Sequence, residues 1–508
     1  MSREPLNVGS RKYLLLDDAL TERKSGFTLT MNPAVRCEGP VIAPDKPWEI
    51  GAICGDSNAS VVDDGGVYKL WYGIEYIEAE RAAKAVGKVD PGLARRLDAK
   101  TLADLRGAER KLALCYATST DGLRWEKPDA GVIEHQGSEK NNMVLSARLG
   151  ATVFLDPTAP PDKRYKIIYG GGPRLPHVHL MENVPVQNIY HAIYGATSPD
   201  GIHWKSFPEP IIPWYTDTTN VAYWDDRIGK YVAFVRSNEG MIYRDGKTVT
   251  PDVGSRLRYR AIGRTESADF RRFPEPTRIM EPTPEERQPY KTGLDYYNSS
   301  ATKYPFAADC YFLFSSNFYH EPDTLDVHLC TSRDGVHYTR WQGAPFLGLG
   351  QADAFDSKCV YMAAGMIRRD AELLMYYVGY DVAHGRGFSR KPYSGGIGVA
   401  RVRLDGFVSQ DAAWSGGELL TVPLTFHGSR LQVNMDANAG GRLKVELLDA
   451  QNGPIPNFAL QDADTLWCND IAKTATWRGQ SDVSSLKGKP VRLRFVGQGV
   501  KLYAFQFV

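Results

Sequence analysis

Cysteine is sparse and scattered: seven residues in 508, at positions 37, 54, 115, 310, 330, 359 and 468, with no Cys-x-x-Cys pair. That excludes a disulfide framework and a zinc knuckle, and predicts a reducing compartment. A surplus of one charge is missing as well. Lys and Arg number 61 against 60 Asp and Glu, which leaves a formal charge of +1 and nothing to draw nucleic acid or an anionic membrane. No apolar stretch approaches the roughly 20 residues of a membrane span. Residues 1–14 carry no apolar leader segment, so the expected location is the cytoplasm. P-loop, dinucleotide and His-x-x-x-His patterns are absent, which leaves phosphoryl transfer, redox and zinc chemistry without support.

What the chain has is repetition. Ala117-Thr118-Ser119-Thr120-Asp121-Gly122-Leu123-Arg124-Trp125 returns as Ala196-Thr197-Ser198-Pro199-Asp200-Gly201-Ile202-His203-Trp204. It returns again as Cys330-Thr331-Ser332-Arg333-Asp334-Gly335-Val336-His337-Tyr338, with weaker copies around Asp269 and Asp405. The five aspartates are spaced by 79, 69, 65 and 71 residues. An alternating run precedes each copy, as in Leu112-Ala113-Leu114-Cys115-Tyr116. Such a run before Asp-Gly is a strand entering a turn, because Gly reaches positive φ cheaply and Asp bonds the turn backbone.

Upstream in each unit lies a second hairpin, such as Val61-Val62-Asp63-Asp64-Gly65-Gly66-Val67-Tyr68-Lys69-Leu70-Trp71-Tyr72. Two hairpins per unit make four strands, and four-stranded sheets repeated radially make a β-propeller. The predicted fold is all-β: a five-bladed propeller over residues 1–412, then a β-sandwich over 413–508. A helical insertion is expected at about 78–112 in blade I, where Ala82, Ala83, Val86, Leu93 and Leu97 fall at helical spacing.

The Ser-x-Asp-Gly-x-x-Trp turns, the Tyr68-Lys69-Leu70-Trp71-Tyr72 strand and the C-terminal sandwich together resemble the five-bladed glycoside hydrolases of families 32, 43 and 68. The family 32 order of propeller then sandwich is the nearest match. The Asn-Asp-Pro-Asn-Gly and Arg-Asp-Pro signatures do not occur, so the resemblance is to a divergent or separate family. It implies glycosidic chemistry with no required cofactor and no catalytic metal. A structural Ca2+ in the channel is compatible with such a fold.

First strands line a propeller's channel, so the residues that open them converge. Those openings read Asp56-Ser57-Asn58, Asn141-Asn142, Asp217-Thr218-Thr219-Asn220, Asp295-Tyr296-Tyr297-Asn298 and Asp353-Ala354-Phe355-Asp356. Clustered carboxylates are what glycoside cleavage needs, one to protonate the leaving oxygen and another to attack or to activate water. By the resemblance, Asp56 matches the nucleophile or base and Asp217 the general acid. Asn141 and Asn142 stand where an Asp is expected, so Asp295 and Asp356 are candidates to tune the acid. Asn58, Asn142, Asn220, Asn298, Asp356, Glu75, Arg236 and His384 are the candidate substrate-binding residues. An Asp at a strand start is equally a turn or cap residue. His320 lies in a loop, Arg256, Arg258 and Arg260 alternate like one exposed strand face, and Tyr296 and Tyr297 are placed to stack on a sugar or to fill core.

Three functions fit. The leading one is an exo-acting hydrolase for a furanosyl or related small oligosaccharide. A phosphorylase similar to family 130 would use the arginines for phosphate. A non-catalytic carbohydrate-binding propeller is the third. The expected partner is a small carbohydrate, with no nucleic acid and no membrane.

Overall fold

The computed structural model describes residues 4–49, 52–53, 58–77, 110–146, 150–171, 192–212, 214, 218–238, 242–244, 247–249, 259–290, 293–384 and 395–508. Nearly every regular element among them is a strand; the helical pieces are one turn at Pro284–Arg287 and short 3-10 turns. No described helix is long and apolar enough to cross a membrane. The expected insertion lies outside the described residues from 78 to 109, and residues 110–112 belong to the strand Arg110–Ser119 rather than to a helix.

Five antiparallel arrays follow one another among the described residues. The first joins Ala59–Asp64, Val67–Ile77 and Arg110–Ser119. The second runs Thr152–Leu155, Tyr165–Gly171, Ala192–Ser198, Lys205–Ser206. The third runs Val221–Asp225, Lys230–Asn238, Arg260–Ser267, Thr277–Met280. The fourth is Leu294–Lys303, Tyr311–Tyr319, Thr324–Ser332, Thr339–Arg340. The fifth is Cys359–Met362, Glu372–Tyr380 and Gly395–Arg403, and its last strand is supplied from far upstream by Val35–Arg36.

Small polar groups lace the start of each first strand to the next. Asn58 Nδ2 donates to the Ala151 carbonyl at 2.8 Å, and Val153 N–H donates to Ser60 Oγ at 2.9 Å. Asn220 N–H donates to the Gly150 carbonyl at 3.1 Å, while Thr152 Oγ1 donates back to the Asn220 carbonyl. Asn298 Nδ2 donates to Thr219 Oγ1 at 3.2 Å and Ser300 Oγ to the Ala363 carbonyl at 2.7 Å. Val61 N–H to the Ala364 carbonyl, and Ala364 N–H to that of Ala59, both 2.9 Å, return to the first array. The ring closes. Backbones come so near here that only glycine fits at two points. A Cβ on Gly150 (φ +66°) would fall 1.8 Å from the Thr218 carbonyl oxygen, and one on Gly365 (φ +87°) 2.2 Å from that of Val61.

The repeated aspartate turns have a job on the outside of the ring. In each strong copy the Ser hydroxyl accepts from the Gly N–H at 2.9 Å, and the Asp carboxylate accepts two backbone N–H groups further on. Burial opposes ionisation of Asp200 and Asp334, but the His203 and His337 imidazoles at 2.7 Å together with these backbone bonds hold both carboxyls far below the usual range. Each turn rests on the preceding array. Tyr376 O–H donates to the Gly122 carbonyl and Trp71 Nε1 to that of Gly201, both at 2.7 Å. Phe270 packs on Phe154 at 5.7 Å, Arg227 Nη2 donates to the Asp334 carbonyl at 2.7 Å, and Tyr304 O–H donates to Asp405 at 2.8 Å.

Two six-stranded sheets complete the chain and share one core, with Phe426 and Phe507 stacked at 3.8 Å. Their strands do not all come from beyond 412. Leu6–Gly9 pairs with Leu424–Phe426, Thr21–Ser25 with Gly417–Thr421, Phe27–Met31 with Val408–Ala412, and Tyr13–Leu14 with Val500–Phe507. The expected division at 412 therefore does not describe residues 6–31, whose buried Val8, Tyr13 and Phe27 sit in that same core. Their partners are nearly the whole chain away, and nothing local marks them.

Candidate active site

Antiparallel strands bring the start of one and the end of the next to the same edge. Asp295 opens Leu294–Lys303 opposite Phe318, with His320 just past that strand. Arg260 opens Arg260–Ser267, paired with Asn238, and Arg236 lies two residues before Asn238. Four polar side chains are thus delivered to one place by four strands.

Asp295 is the centre. Its Oδ2 accepts Arg260 Nη1 at 2.5 Å and lies 2.9 Å from His320 Nε2, while Oδ1 accepts the Arg260 N–H at 3.0 Å. Burial would raise its pKa, but His320 and Arg260 outweigh burial and hold the carboxyl below the usual range. The carboxylate is 1% exposed, against 32% for the Arg260 side chain and 26% for His320. What faces open space is therefore the cation and the imidazole, each oriented by a hidden anion.

Tyr297 is the platform beside it. Arg236, itself buried, stacks its guanidinium 4.2 Å from the ring centroid and donates through Nε and Nη2 to the Tyr297 carbonyl at 3.2 and 2.9 Å. Arg260 lies 5.1 Å from the same ring. The His384 imidazole meets Tyr297 edge-on at 4.5 Å and Phe318 at 4.8 Å, and its Nδ1 is 2.7 Å from the Tyr361 hydroxyl. Burial first, then Arg260 and Arg236, push His384 down to about 4, so the ring is neutral at pH 7.

The structure sorts the expected residues. Asp56 and Asp217 lie outside the described residues, as does the side chain of Glu75. Asp295, Arg236 and His384 come together. Asn58 and Asn298 spend amide hydrogens on the ring stitches, and Asn220 donates to the Thr218 carbonyl at 2.9 Å. Asn142 is internal: its amide donates to Tyr72 Oη and the Tyr116 carbonyl at 2.9 and 2.8 Å and accepts Trp48 Nε1 at 2.8 Å. Neither amide hydrogen is left for a ligand. Asp356 accepts Arg36 Nε at 2.6 Å and Tyr377 O–H at 2.8 Å, which pins the upstream strand Val35–Arg36 to the fifth array. Arg260 is no surface stripe, since it pairs with Asp295. Phe318 and Tyr361 went unmarked in the sequence; the signal for the first was Phe318-Tyr319-His320 ending an aromatic strand. Among the described residues no three His, Cys, Asp or Glu side chains are grouped as metal ligands.

No family model and no curated protein matches the sequence. Solved structures resemble it in fold. A family 43 arabinoxylan arabinofuranohydrolase from Bacillus subtilis, in complex with cellotetraose, is 13% identical with a TM-score of 0.41, over 92% of this chain and 99% of that one. A β-1,2-mannobiose phosphorylase from Listeria innocua is 15% identical with a TM-score of 0.44, over 73% and 97%. An N-acetylgalactosamine deacetylase from F. plautii is 13% identical with a TM-score of 0.42, over 75% and 97%.

Proposed function

We propose that this protein is a carbohydrate-active enzyme that cleaves a glycosidic bond, built as a five-bladed β-propeller followed by a β-sandwich. The closed ring of stitches between first strands supports the propeller, and the shared core of the last two sheets supports the sandwich. The observation that carries the function is the Asp295 clamp: a hidden carboxylate aiming Arg260 and His320 beside a Tyr297 platform where strand ends converge. Orientation of this kind is what a site needs to hold a polar ring against its reacting groups. Asp295 stays ionised at neutral pH, so it is not the proton donor. In the hydrolase reading Asp217 protonates the leaving oxygen and Asp56 attacks or activates water, on a short furanosyl or related substrate taken from its end.

The test is turnover of a panel of aryl glycosides and short oligosaccharides, each with and without inorganic phosphate. Asp56→Asn and Asp217→Asn are expected to lower turnover by roughly 10²–10⁴. An activated leaving group rescues only Asp217→Asn. Inertness of the wild-type protein across the panel in both conditions sinks the reading. A second reading, a phosphorylase, is favoured by the two guanidiniums against one ring, Arg236 and Arg260 on Tyr297. An absolute requirement for phosphate, with a sugar 1-phosphate as product, selects it.

A further inference from the structure

Arg260 and His320 share one oxygen. Asp295 Oδ2 lies 2.5 Å from Arg260 Nη1 and 2.9 Å from His320 Nε2, so guanidinium and imidazole stand side by side. Phe318 backs both. The imidazole stacks on its ring at 4.6 Å, and the guanidinium lies 5.9 Å from the same centroid. His320 is held at its backbone as well, where its N–H donates to the Gly293 carbonyl at 3.2 Å. Its Nδ1, across the ring from Nε2, lies near Gly293 (φ +113°), which has no side chain to cover it; a Cβ there would stand 3.8 Å away.

The charges here are unevenly displayed. Asp295 is 1% exposed, against 32% for the Arg260 side chain and 26% for that of His320. Asp323, a second carboxylate that bears on this place, is buried too. Glu321 is exposed in the loop after His320 and, among the described residues, pairs with neither cation. Arg236 adds a buried guanidinium against Tyr297. His384, whose ring meets Phe318 at 4.8 Å, registers the balance. After burial, Arg260 and Arg236 lower its pKa by more than Asp323 and Asp295 raise it. The field is positive even though two carboxylates contribute to it.

A guanidinium and an imidazole presented together, with their counter-ion hidden, suit an oxyanion, whose oxygens accept charge-assisted bonds from both. An anionic ligand arriving from solvent meets the cations first. A neutral hydroxyl draws nothing from that charge. We infer, resting on the reading of this place as a carbohydrate site, that Arg260 and His320 receive the carboxylate of a uronic acid residue. Inorganic phosphate offers the same oxyanion chemistry, and the arms of the test part the two.

Calorimetric titration of the full chain at pH 7 sets both anomers of methyl glucuronide and methyl galacturonide against methyl glucoside, methyl galactoside and inorganic phosphate. At least one uronide is expected to bind about tenfold or more tightly than its neutral counterpart, and to weaken as salt rises. Arg260→Gln and His320→Gln each lower that affinity about tenfold and leave the neutral glycosides unaffected. His320→Gln keeps the Arg260–Asp295 pair, so it reads the site even where Arg260→Gln unsettles the fold. Three results overturn the inference. They are uronide and neutral glycoside binding alike or not at all, binding of phosphate alone, or a folded variant of either residue that binds uronide as the wild-type protein does. Uronide binding without turnover of any glycoside sinks only the catalytic reading. Turnover of neutral glycosides without uronide binding sinks only the uronate assignment.

Discussion

The His384 imidazole and the Tyr361 hydroxyl meet at 2.7 Å inside a cluster of aromatic rings, with two guanidiniums nearby. A protonated imidazole has no place there. The unfolded chain takes up this proton near pH 6.5, the folded protein only near pH 4. Between those values the unfolded state binds more protons, so stability rises with pH through that window and levels off above it. His384→Gln is expected to remove this component, on the order of 3 kcal/mol across the window. Urea midpoints of both proteins at pH 4.5, 5.5 and 7.5 check it. Parallel curves would show that His384 is not the source.

Asp295 titrates with the opposite sign. Its folded pKa is depressed, so the clamp stabilises the fold above about pH 3.9 and the contribution is lost as pH falls through the lower folded value. Asp295→Asn leaves Arg260 and His320 without their anion. It is expected to destabilise by about 2–4 kcal/mol and to lower kcat/KM by roughly a hundredfold or more. The stability loss is measured by urea denaturation at pH 7. Near-normal kcat/KM with reduced stability would detach the clamp from the chemistry.

Asn58 separates a stitch from a ligand. If its amide serves the Ala151 carbonyl, Asn58→Ala costs about 1–3 kcal/mol of stability and leaves KM unchanged. A raised KM at unchanged stability would return Asn58 to the substrate.

Asn58 also shows where the sequence stops being legible. The Ser-x-Asp-Gly turns could be read at once because Ser119, Asp121, Gly122 and Leu123 bond among themselves within five residues. The acid-then-Asn pattern was equally visible, but its meaning was not, since the partner of Asn58 is 93 residues away. First-strand logic put Asp295 at the opening of a first strand, where the structure has it. It did not find the clamp, because Arg260 arrives on a different strand 35 residues earlier and an alternating Arg pattern does not say which face meets an acid. Residues 6–31 gave no warning at all, their alternation being that of any short edge strand.

Two glycines calibrate the outer turns. Gly201 has φ +85°, and a Cβ there would fall 2.4 Å from the Trp71 ring of the preceding array. Gly201→Ala is expected to cost about 3 kcal/mol or more, from strain and displaced packing together. Gly229, at φ +64° with nothing within 4 Å, isolates the backbone component, and Gly229→Ala is expected to cost only about 1 kcal/mol. Thermal melts of the two variants side by side check the difference. Equal shifts would mean that the turn does not bear on its neighbour.

The interleaving of the chain's two ends fixes an order of assembly. Among the described residues the strands within 6–31 pair only with strands between 408 and 507, and Val35–Arg36 waits for Gly395–Arg403. During synthesis the first three dozen residues must therefore stay unpaired while the arrays between them form, and the longest-range contacts come last. The stretch with the earliest start is the last to fold. Shortening the C-terminal sheets would release the N-terminal strands as open edges, so the first symptom of a C-terminal truncation is expected to be exposure of residues 6–31 to protease.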